Sequence, residues 1–227
     1  MKLDQMLAAL CLSALLVAGC ASTPPSTFFV LTPIPEAVGR GGDISGGGLS
    51  VGIGPVVFPQ FLDRPQLVTR DGSNRLDVDE YNRWGGAVQD DFLRVWGENL
   101  AHLLGTSRIT VFPSETRMPI DFRITAEVVS FAGMPNQEAL LKVRWAVMDT
   151  YLERAMAVRE DVYRCPFAAN PEPATILGSE KNSRSTVDSE AVVAAMSRCL
   201  GDFSRDVAAV VGSLPKPAPP SATVSPI

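Results

Sequence analysis

The sequence predicts an α+β fold: an antiparallel or mixed β-sheet with two main helices packed on one face. Three observations carry this. Two segments, Trp84 to Leu104 and Val193 to Val211, place apolar residues at helical spacing. Three long segments, Asp121–Phe131, Leu141–Asp149 and Ala155–Tyr163, alternate with period two. Turn-forming glycine, proline and asparagine separate the strand-like runs. A helix with one apolar stripe and a sheet with one apolar face must bury against each other, which makes a two-layer domain.

The elements follow in chain order. Met6 to Leu16 is a short apolar run, and Val17-Ala18-Gly19-Cys20-Ala21 comes directly after it. Small residues before a cysteine at the end of such a run are the pattern of a bacterial lipoprotein signal. The run is too short to span a bilayer, which needs roughly 20 apolar residues, and its length suits a signal-peptide core. Residues 1–19 are therefore expected to be removed and Cys20 to be the lipid attachment site. Residues 20–27 then form a lipidated tether, 28–212 the folded domain and 213–227 a proline-rich tail with no periodic pattern.

Within the domain, Phe28 to Leu31 reads as a first strand and Pro33 to Gly48 as a Gly/Pro-rich loop. The triplet Gly46-Gly47-Gly48 is not followed by Gly-Lys-Ser/Thr, so it does not read as a phosphate loop. Leu49 to Val57 alternates and reads as a second strand. Phe58 to Pro65 is irregular. Gln66–Arg70 and Arg75–Asp79 flank Asp71-Gly72, a hairpin signal. The first helix is expected from Trp84 to Leu104, with Gly105 as its stop, and a short strand at Arg108–Phe112. The three alternating segments then read as an antiparallel meander with one covered face. Pro166 to Arg184 is a polar loop. Ser185, Thr186 and Asp188 are N-cap candidates for the final helix.

The 227 residues carry a net charge of −5 and a pI near 5.0. Without a basic cluster the chain is a poor nucleic-acid binder and a poor ligand for anionic lipid through charge alone. With Cys11 in the signal and Cys20 lipidated, Cys165 and Cys199 remain as one pair. In an oxidising compartment a disulfide is favoured over two separately buried thiols. It would staple the last helix to a strand end and close a loop worth about 3–4 kcal/mol. No Cys/His cluster accompanies the pair, so no metal is expected, and no strand–GxGxxG–helix unit occurs, so no cofactor is expected either.

Catalytic chemistry is also not expected. The single histidine, His102, lies beside a helical core stripe. Neither Gly-x-Ser-x-Gly nor His-Glu-x-x-His occurs. The neighbouring carboxylates Asp90-Asp91 and Glu160-Asp161 do not face each other on a regular element, so they read as solvated charge. Phe58, Phe61, Tyr81 and Trp84 are more informative. They either close the edge of the core or, with Asp63, Arg64 and Gln66, form a partner-binding surface.

These segments resemble a known group in the right order. Phe28-Phe29-Val30-Leu31 is similar to an aromatic-aromatic-x-Leu start, although that group commonly has tyrosines there. Phe61-Leu62-Asp63-Arg64-Pro65-Gln66-Leu67-Val68-Thr69-Arg70 resembles its most recognisable stretch. Arg83-Trp84, Glu98-Asn99-Leu100 and Val143-Arg144-Trp145-Ala146-Val147 match three further patterns. The chain thus resembles the PqiC-type (paraquat-inducible) lipoproteins, the ABC-type transport auxiliary lipoproteins, over about residues 20–212.

The resemblance implies a non-enzymatic lipoprotein held at the periplasmic face of the outer membrane. It implies docking to an MCE-domain periplasmic protein and its inner-membrane transport complex, with a homo-oligomer as one mode of assembly. The partner-binding residues would be Phe61, Asp63, Arg64, Gln66, Arg83 and Trp84. The alternative is a lipid-binding periplasmic carrier with its own apolar cavity.

Overall fold

A computed structural model describes residues 25–37, 48–115, 118–134, 138–151, 153–167 and 188–217. The leader with Cys20, the Gly46–Gly48 triplet apart from Gly48, most of the Pro166–Arg184 loop, Ser185, Thr186 and the tail beyond Pro217 lie outside the described residues.

Among the described residues the fold is α+β, with two α-helices on a mixed sheet of eight strands. The strands are β1 (Thr27–Phe29), β2 (Val51–Val57), β3 (Gln66–Arg70), β4 (Leu76–Trp84), β5 (Ile109–Val111), β6 (Phe122–Met134), β7 (Glu138–Asp149) and β8 (Arg154–Pro166). The helices are α1 (Val88–Leu103) and α2 (Ser189–Ser213).

β6, β7 and β8 form the expected antiparallel meander. On its other side β6 has two successive neighbours. Its first half pairs in parallel with β2, and its end meets β3 at Thr69 and Gly133. β2 continues to β5 at one edge, and β3 continues through β4 to β1 at another. Parallel pairing needs long crossovers between the paired strands, and α1 lies within the one that joins β2 to β5. Local periodicity does not encode which strands meet across such a crossover. The parallel half of the sheet was therefore not legible beforehand.

Alternation places Phe122, Ile124, Ala126 and Val128 of β6, with Leu141, Val143, Trp145 and Val147 of β7, on the covered face. A register shift between Val128 and Ser130 lets both Phe131 and Ala132 be buried beyond it. α2 lies over β6, β7 and β8, and α1 lies beside α2 over β2 and β5. Aromatic rings fill the space between the layers. Phe203 stacks on Trp96 at 5.0 Å and meets Trp145 at 6.0 Å, while Phe92 meets Phe131 edge-on at 5.4 Å. Such pairs add about 0.5–1.5 kcal/mol beyond area burial.

The first helix begins four residues later than its apolar spacing suggests. Trp84 is the last residue of β4, and its N–H donates to the Pro65 carbonyl. Gly85 and Gly86 separate it from α1. Trp84 and Val88 both face the core, but from different elements, and this coincidence extended the helical pattern. Asp90 and Asp91 in the first turn of α1 suit its positive dipole end. At α2, Asp188 is the N-cap, accepting from the N–H groups of Glu190 and Ala191.

The segment after β1 is strapped across both helices. Leu31 N–H donates to Asp91, and Arg94 donates to the Leu31 carbonyl at 3.0 Å. Thr32 N–H donates to Ser197 Oγ at 3.1 Å, and Ile34 N–H to Asn99 Oδ1 at 2.9 Å. Leu31 and Ile34 are buried. The chain that leads from position 20 is therefore fixed to α1 and α2 as well as to the sheet edge.

Candidate functional site

The irregular segment after β2 becomes one wall of a cleft of about 410 Å³ at the start of α1. Phe58, Leu62, Asp63, Arg64 and Pro65 line one side, and Gly86 to Asp90 the other. A single 3₁₀ turn, Gln60–Leu62, shapes the first wall by burying Leu62 and leaving Asp63 and Arg64 exposed. Gln89 crosses the base, donating from Nε2 to the Val56 carbonyl at 3.0 Å.

The aromatic residues divide between the two roles the sequence left open. Phe58 packs against Phe92 and Phe131, with ring centroids 5.3 and 6.4 Å apart. Trp84 is buried. Phe61 is half-buried beneath the Arg70 guanidinium, 6.0 Å from the ring centroid. Tyr81 is exposed. Gln66 and Arg83 are opposed in the β3–β4 ladder and half-buried, and Arg83 Nε donates to the Glu80 carbonyl. Of the six candidate partner-binding residues, only Asp63 and Arg64 are fully on the surface. Phe61 and Trp84 do not line the cleft: Trp84 belongs to the core, and Phe61 packs against it.

The adjacent carboxylates have structural roles that the sequence reading missed. Asp91 anchors the strap at Leu31 and pairs with Arg94, and Asp161 accepts from Trp145 Nε1 at 2.7 Å. Glu160 bridges Lys142 and Arg144, which hold its carboxyl below the usual range. His102 is half-buried in the last turn of α1. Among the described residues, no three His, Cys, Asp or Glu side chains are grouped so as to hold a metal ion. Cys165, at the end of β8, and Cys199, in α2, are disulfide-bonded with Cα atoms 5.7 Å apart. No helix of the described residues is long and apolar enough to cross a membrane.

The described residues thus combine a mixed sheet with one helix-covered face, a strapped N-terminal segment and a cleft at the start of α1. A family model described as the ABC-type transport auxiliary lipoprotein component matches residues 29–208, and the chain belongs to that family. Two solved structures share the fold. One, titled only as the crystal structure of an uncharacterized protein, gives a TM-score of 0.61 at 11% identity, covering 83% of this chain and 99% of its own. The other, protein XCC0632 from Xanthomonas campestris, gives 0.55 at 15% identity, covering 83% and 93%. No curated protein matches.

Proposed function

We propose that this is an outer-membrane-anchored periplasmic lipoprotein that docks an MCE-domain partner of an ABC-type lipid transport system and has no enzymatic activity. The observation that carries this reading is the family match over residues 29–208, placed directly after the Cys20 pattern. Residues 1–19 act as the signal and Cys20 carries the lipid. Several acyl chains on one cysteine hold firmly, since each buried CH₂ contributes about 0.8 kcal/mol. The absence of aspartate at position 21 favours the outer membrane. Anchoring confines the domain near the membrane and raises its effective concentration for a partner reaching across the periplasm.

Asp63 and Arg64, on the rim of the apolar cleft, are the charged contacts. Phe61, Gln66, Arg83 and Trp84 shape the surface behind them. A carrier role has less support, because the rings of Phe92, Trp96 and Phe203 occupy the space between sheet and helices that a lipid chain would need.

Cys20→Ala should move the protein from the membrane to the soluble periplasmic fraction. Arg64→Glu should reduce co-purification of the MCE protein while leaving membrane attachment intact. Membrane attachment that survives Cys20→Ala, or an absence of any MCE association in the unaltered protein, defeats the reading.

A further inference from the structure

Among the described residues, the exposed aromatic side chains are Phe28 and Tyr81, and both lie at one corner of the sheet. β1 is an edge strand paired in parallel with β4, so that Phe28 stands opposite Arg83. Tyr81 is two positions before Arg83 on β4, at a bulge where its N–H donates to Asp79 Oδ1. Val30, two positions beyond Phe28, extends the same side and lies against Gly85. Phe28 is 65% exposed, Val30 55% and Tyr81 43%. The next residue along the chain, Leu31, is buried and strapped to α1, so the corner is rigidly backed.

We propose that this corner, Phe28, Val30 and Tyr81, is a membrane-contact surface that seats the domain on the bilayer to which Cys20 is anchored. The proposal rests on Cys20 carrying the lipid. Phe28 follows Cys20 by eight residues. A chain of that length spans at most about 28 Å. Phe28 and Val30 are thus the first large exposed apolar side chains of the folded domain beyond the anchor, with Tyr81 on the adjacent strand. Tyrosine and phenylalanine suit the interfacial layer, where an apolar ring can enter while backbone groups stay hydrated. The neighbouring charges are mixed, Arg83 with Asp79 and Glu80, so the contact depends on apolar insertion more than on anionic headgroups. A three-residue edge strand lies at the interface, where water satisfies its free backbone groups.

The test uses the acylated, disulfide-intact chain, in which a single introduced cysteine is the only free thiol. Phe28→Cys, Val30→Cys and, as a reference, Val158→Cys are each labelled with an environment-sensitive fluorophore. Val158 is 73% exposed on β8, at the opposite edge of the sheet. The proteins are reconstituted in vesicles of phosphatidylethanolamine and phosphatidylglycerol, and vesicle flotation is measured alongside fluorescence. The expected result is a blue shift at positions 28 and 30, loss of most of that signal to a nitroxide lipid labelled near the headgroup, and neither effect at position 158. High salt should leave the shift unchanged. Flotation with water-like emission at 28 and 30 overturns the contact and leaves the anchor standing. A blue shift without nitroxide quenching also overturns it, and assigns the corner to a protein interface. Failure to float overturns both the contact and the anchor reading.

Discussion

Replacing Asn99 with alanine should loosen the N-terminal strap and destabilise the domain by an amount the structure allows one to estimate. Asn99 is fully buried in α1. Its Oδ1 accepts from Ile34 N–H at 2.9 Å, and its Nδ2 donates to Ser204 Oγ of α2 at 3.1 Å. Ser204 keeps a partner after the change, because its hydroxyl also donates to the Leu200 carbonyl at 2.6 Å. Ile34 N–H does not, and an unpaired buried donor costs about 1–3 kcal/mol. Loss of the second bond adds about 1 kcal/mol. The total is about 2–4 kcal/mol, which lowers Tm by about 4–16 °C for a domain of this size. Urea denaturation should show the loss in the midpoint with an unchanged slope. Limited proteolysis should cut near Ile34 before the rest of the domain. Ser204→Ala alone should cost less, and the double variant should be sub-additive by about 1 kcal/mol. A loss below about 0.5 kcal/mol for Asn99→Ala, with no earlier cleavage, refutes the idea that this amide clamps the strap.

Other expectations follow from the same packing. Phe203→Ala removes the ring shared by Trp96, Phe92, Trp145 and Tyr163 and should cost about 3–5 kcal/mol in chemical denaturation. A cost under about 1 kcal/mol would mean the cluster repacks. Replacing both Cys165 and Cys199 with serine opens a loop of 34 residues' separation and should lower stability by about 3–4 kcal/mol. Mass mapping without reductant should find the two cysteines joined in the exported protein, and free thiols would contradict this. Burial, and then the hydrogen bond to Asp206, push the Tyr163 hydroxyl above its ordinary pKa of 10.0. A raised folded-state pKa gives stability that is present below pH 10 and lost as the unfolded chain ionises above it. Tyr163→Phe should therefore be less sensitive to alkaline pH than the unaltered protein, and an identical alkaline limb in both would contradict the assignment.

Much of the architecture was legible in the sequence because it is periodic. β6 and β7 carry an apolar/polar alternation long enough to identify them and their covered face, and α2 carries a stripe from Val193 to Val211. In β8 the alternation identified the strand but not its face: the apolar Val158 and Val162 point outward, while Tyr163 and Cys165, opposite Leu141 and Ala139, turn toward the core. Trp84 misled for the same reason, since its spacing fits a helix although Gly85 and Gly86 end the pattern. The candidate site was only partly legible. Phe58, Phe61 and Trp84 have the composition of an interface, but composition does not say which aromatic rings the core consumes. Phe58 and Trp84 go inward, while Phe28, read simply as strand, is left outward.

The sequence by itself determined the class of element at most positions, the Cys20 pattern and the pairing partners available to Cys165. These depend on near neighbours, on residue chemistry or on counting. Only the tertiary structure decided that β6 meets β2 and β3 in succession, that Asp91 and Asn99 hold the segment after β1, and that Phe28 and Tyr81 share one corner. Those contacts join residues 50 or more positions apart. The free energy that selects them comes from burying a whole face at once, which no local window of the chain contains.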